Sequence, residues 1–100
     1  MPLIDPNTIY FKPLNGSAHQ TVTLGTGIYT YGVPTQANCV RIQALAQNVR
    51  YTLDGSAPSA TVGFQLAAAA APIIVYMSDT TTLRFFREAS GAILALQAGA

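Results

Sequence analysis

Apolar and polar positions alternate along most of this chain in runs of four to seven residues, and the period is two from Gln20 onward. Val40-Arg41-Ile42-Gln43-Ala44 and Val49-Arg50-Tyr51-Thr52-Leu53-Asp54 show it most clearly, as half-buried strands do. The same reading predicts strands over 21–24, 28–31, 63–66, 82–88 and 92–97, and a continuous apolar strand, covered on both faces, over Ile73–Met77. Turn formers separate the runs: Gly25-Thr26-Gly27, Gly32-Val33-Pro34, Asp54-Gly55-Ser56-Ala57-Pro58, Ser78-Asp79-Thr80 and Ser90-Gly91. Ala67 to Ala71 scores as helix on propensity, but five residues ending at Pro72 are too few to nucleate one, so a connector is predicted. The pattern is all-β, with about eight short strands in a jelly-roll-like β-sandwich.

Two local pairings are expected. A two-residue turn at Gln47-Asn48 would make a hairpin of 40–44 and 49–54, placing Arg41 opposite Asp54. Ala89-Ser90-Gly91 would join the last two strands in the same way. Val40, Ile42, Val49, Tyr51, Leu53 and Phe85 fall on the apolar side of their runs and are assigned to the core.

The first 17 residues hold three of the six prolines and no sustained periodicity. They read as an extended N-terminal arm, residues 1–17, with one short strand at Ile9–Lys12, ahead of a sandwich domain spanning 18–100. Leu3, Ile4, Ile9, Tyr10 and Phe11 make this arm apolar enough to fold back over the core or to be buried against a neighbouring subunit. Tyr29 and Tyr31, two apart on one strand face, are candidates for the core, for a protein contact or for a sugar platform.

Composition sharpens the functional reading. Half the residues are hydrophobic, and only nine are charged, five basic and four acidic, against a usual share of about a quarter. A surface built from Thr, Ser, Gln, Asn and Ala suits contact with protein more than with water. The charges are scattered and the net charge is +1, so nucleic acid is not an expected partner. The apolar stretch from Leu66 to Met77 is broken by Pro72 and falls short of the about 20 residues that a spanning helix needs, so no membrane partner is expected. The N-terminal residues carry no basic segment or apolar run of signal-peptide length, so no secretion signal is expected, and a single cysteine, Cys39, which cannot form an internal disulfide, fits a cytoplasmic place of synthesis.

No catalytic set can be assembled from the sequence. His19 is the only histidine and has no cysteine cluster with which to share a metal; Cys39 is the only cysteine, has no nearby histidine to activate it, and reads as a packing residue. The four acidic residues are far apart along the chain, and Gly25-Thr26-Gly27 precedes no helix that could present an anion site. The expectation is a protein without enzymatic activity, cofactor or metal.

The stretch Asn38–Ala44 followed by Asn48-Val49-Arg50-Tyr51-Thr52-Leu53-Asp54-Gly55-Ser56-Ala57-Pro58 and Thr61-Val62-Gly63-Phe64 resembles small structural proteins of tailed-bacteriophage virions. The final segment, from Leu83-Arg84-Phe85 through Ser90-Gly91 to Ile93-Leu94, is similar too, so the likeness covers about 36–97 and leaves the arm unmatched. It implies a virion protein of the capsid cement or decoration type, a homo-oligomer, commonly a trimer at local three-fold sites, with the major capsid protein as partner. A tail or head-to-tail connector component is the second virion role. Tyr51–Pro58 also looks like a turn motif of immunoglobulin-like modules attached to chitin-degrading enzymes, which keeps a carbohydrate-binding module as the reading from another class; the absence of Trp weakens it.

Overall fold

The computed structural model describes residues 13–14, 19–78 and 80–100. Each run predicted from Thr21 onward corresponds to one strand: β1 (His19–Thr23), β2 (Tyr29–Thr30), β3 (Cys39–Ala46), β4 (Val49–Thr52), β5 (Phe64–Leu66), β6 (Ile73–Tyr76), β7 (Arg84–Arg87) and β8 (Ile93–Gly99). No helix occurs among the described residues, and Ala67–Ala71 is a connector strapped to β3 by Ala69 N–H donating to Ala44 O.

The strands form two antiparallel sheets in the orders β1-β8-β3-β6 and β2-β7-β4-β5. In four of the pairings, β1 with β8, β2 with β7, β3 with β6 and β4 with β5, the strand numbers add to nine. That is the signature of one long antiparallel hairpin, which is then rolled so that β8 also meets β3 and β7 also meets β4. The chain is therefore an all-β sandwich of jelly-roll topology.

The roll overturns both expected hairpins. β3 and β4 lie in different sheets, so Gln47, with φ 59°, turns a corner between sheets. Arg41 is level with Gln97 on β8 and Ile74 on β6, while Asp54 bridges to Thr82. β7 and β8 are split the same way by the corner at Gly91, whose φ is +88°. The physical reason is burial. Each of these strand pairs has one apolar face, and turning the second strand over the first sets the two faces against each other across the core.

That core holds Val40, Ile42, Ala44 and Val49, with Leu83, Phe85, Leu94 and Leu96, and all of them are buried. Tyr51 and Leu53 pack against it from the rim, each half-buried. Ile73–Tyr76 differs from expectation: β6 is an edge strand, and only Val75 of the four is buried. An apolar run reads the same whether a strand is central or at an edge, but Pro72 at its threshold is a residue that sheets confine to edges and strand starts.

Pro13 and Leu14, counted in the arm by the sequence, are tied to the sheet. Pro13 bridges to Gly99, and Leu14 N–H donates to Ala98 O at 3.1 Å. The strand expected at Ile9–Lys12 lies outside the described residues.

Candidate functional site

The loop after β4 shapes the outer face of the second sheet. Asp54 Oδ1 accepts from the Ser56 N–H at 3.0 Å, and Gly55 takes a φ of +85°, so the Asp-Gly pair makes the turn its residue types suit. Thr52 Oγ1 donates to Ser56 O at 2.7 Å and Arg84 Nη1 to Gly55 O at 3.0 Å, pinning the loop to β4 and β7. Hydrogen bonding from the Ser56 side chain, and then from its backbone N–H, holds the Asp54 carboxyl below the ordinary range. The loop returns through Gly63, whose φ is +114° and where a Cβ would lie 2.8 Å from Tyr51 O; only glycine lets the chain enter β5 so close to β4.

Beside it stands a polar cluster that no single sequence motif marks. Arg50 donates from Nε to Glu88 Oε2 at 2.7 Å and from Nη1 to Gly63 O at 3.1 Å, while Gln65 Nε2 reaches the same carboxylate oxygen at 2.8 Å. Three elements, β4, β5 and the end of β7, are joined by these contacts.

The outer face of the first sheet carries an open groove of about 530 Å³ whose lining includes Pro13, His19, Arg41, Gln43, Pro72 and Gln97. Gln97 Nε2 donates to Leu14 O and Ala98 O, and Gln43 Nε2 donates to Ala70 O, so the amide donors serve the fold. Among the described residues there is no group of three or more His, Cys, Asp or Glu placed to hold a metal ion. Nor is there a helix long and apolar enough to cross a membrane.

Of the residues proposed from sequence as contacts, Tyr31 is 4% exposed and belongs to the core, and Tyr29 is half-buried against it with its ring 6.2 Å from that of Phe85. Burial, then the neighbouring Tyr29, pushes the Tyr31 phenol up. Neither ring forms an open platform of the kind a sugar would stack on. Leu3, Ile4, Ile9, Tyr10 and Phe11 lie outside the described residues. Cys39 is buried, and burial pushes its thiol up, away from the thiolate that nucleophilic chemistry requires.

What the sequence reading passed over is an apolar margin. Rolling the hairpin sets β8 over β7 and β3 over β4, which leaves β6 and β5 as the two edges on one side of the sandwich. Tyr76 on β6 is 61% exposed and Ile73 39%; Phe64 on β5 is 63% exposed, with Val62 exposed just ahead of it. Phe64 packs on Tyr51 at 5.6 Å between ring centroids and walls a shallow apolar depression with Leu53 and Val62.

No family model, curated protein or solved structure matches the chain.

Proposed function

We propose that this chain is a structural virion protein of a tailed bacteriophage, without enzymatic activity, that binds the capsid shell as a homo-oligomeric cement protein with the major capsid protein as its partner. The observation that carries the reading is the open margin of the jelly roll, where Tyr76, Ile73, Phe64 and Val62 present apolar surface to solvent on a chain with only nine charged residues. Large apolar side chains gathered along one side are characteristic of surfaces that meet protein. The virion setting comes from the resemblance of 36–97 to phage structural proteins. Binding many equivalent sites on a shell lets a modest contact sum to a large stabilisation of the particle.

The test is co-sedimentation of the purified protein with phage heads, and separately with tails, from particles that lack it. Saturable binding to heads supports the cement role; binding to tails alone moves the protein to the tail or connector role.

A further inference from the structure

We propose that β6 is a self-association edge: two copies of this chain pair β6 to β6 antiparallel about a two-fold axis, joining their four-stranded sheets into one of eight strands. The inference stands on backbone geometry and does not depend on the virion reading.

β6 pairs on one side only, with β3. Met77 N–H donates to Asn38 O at 2.9 Å, which sets the phase of the ladder. In an antiparallel pair the backbone groups of alternate residues point to the same neighbour, so residues 73, 75 and 77 turn their N–H and C=O toward β3. Ile74 and Tyr76 therefore turn theirs to the open edge, where they meet no partner among the described residues. A row of such groups is a template for another strand.

The edge lacks the devices that blunt free edges. From Ala67 to Ser78 there is no Lys, Arg, Asp or Glu, and the one proline, Pro72, stands before the strand rather than within it.

Register singles out a second copy as the occupant. Directly opposed residues in a sheet share a face, so two β6 strands can meet about Ile74, Val75 or Tyr76 on the axis. An axis at Ile74 sets Tyr76 against Pro72, which has no N–H to give. An axis at Tyr76 sets Ile74 against Ser78, whose N–H is already donated to Thr81 Oγ1 and whose C=O accepts from Thr81 N–H. With Val75 on the axis, Ile74 opposes Tyr76 of the other copy in both directions, and all the outward backbone groups of these two residues are satisfied. The same register lays each Ile74 side chain beside a Tyr76 ring on the outer face, an apolar cross-strand pair. Phe64 and Val62 on β5 extend the apolar margin on the same side of each sandwich. The contact is two-fold, so its product is a dimer; a three-fold oligomer would need a different, head-to-tail surface.

The test combines sedimentation equilibrium with amide exchange on the full chain. Expected are a dimer whose Ile74 and Tyr76 amides become protected as concentration rises, and a Tyr76→Lys variant that is monomeric with unchanged thermal unfolding when dilute. A wild-type monomer, a trimer, or a dimer in which the Ile74 and Tyr76 amides exchange freely would overturn the proposal. The amide measurement decides the matter on the wild-type chain alone, whatever the variant does to folding.

Discussion

Arg50 and Glu88, 38 residues apart, meet at 2.7 Å across the outer face of the second sheet, and Gln65 shares the carboxylate oxygen that joins them. The hydrogen bond from Gln65, with that from Arg50 and the Arg50 charge, outweighs desolvation and holds the Glu88 carboxyl below its ordinary value of 4.5. A carboxyl whose folded value is depressed binds its proton more readily in the unfolded chain. The stability it contributes is thus complete above its ordinary value and is lost as pH falls through the depressed one. Urea midpoints should therefore fall between pH 5 and pH 3. In Glu88→Gln the fall should be shallower and not abolished, because Asp54 is depressed as well. Equal falls in wild type and variant would remove Glu88 from the account.

Two glycines of the same loop should respond differently to alanine. Gly55 has a φ of +85° and its nearest obstruction is Thr82 Cβ at 3.8 Å, so Gly55→Ala meets backbone strain alone, about 1–2 kcal/mol. Gly63→Ala adds a collision with the backbone oxygen of Tyr51 at 2.8 Å, which cannot retreat without breaking the β4–β5 pairing, and should cost about 3 kcal/mol or more. Denaturant unfolding of the two variants checks the order; a smaller loss for Gly63→Ala would mean that β5 shifts freely.

Burial ranks the core substitutions. Ile42 is fully buried between the sheets, so Ile42→Ala should cost about 2–5 kcal/mol. Leu53 sits half-buried at the rim, where solvent can fill the space left behind, and Leu53→Ala should cost less, about 1–2 kcal/mol. Thermal midpoints in the reverse order would contradict the placement of the core.

How much of this was legible follows from what period two encodes. Alternation in Val40–Ala44, Val49–Asp54 and the run 82–88 states that one side of each strand is buried, and it placed Val40, Ile42, Val49 and Phe85 in the core correctly. It does not state which strand lies alongside. Gln47-Asn48 can close a hairpin or turn a sheet corner with the same side chains inward, and only the competition among all eight strands selects the corner. The exposed margin was hidden for a related reason: Ile73–Tyr76 is apolar throughout, so it carries no alternation from which an open face could be read. Tyr29 and Tyr31 were conspicuous as a pair, yet β2 pairs with β7 and sets Tyr29 level with Phe85 at the core. Asp54 and Gly55 were legible because their roles depend on local backbone chemistry alone.

The proposed capsid-stabilising role is tested most directly by the rupture temperature of phage heads prepared without this protein, heated with and without added protein. Added protein is expected to raise the temperature at which heads release DNA, and a variant carrying charge on the exposed end of β5, Phe64→Lys, is expected to restore less of it. Heads that rupture at the same temperature with and without the wild-type protein would contradict the cement assignment.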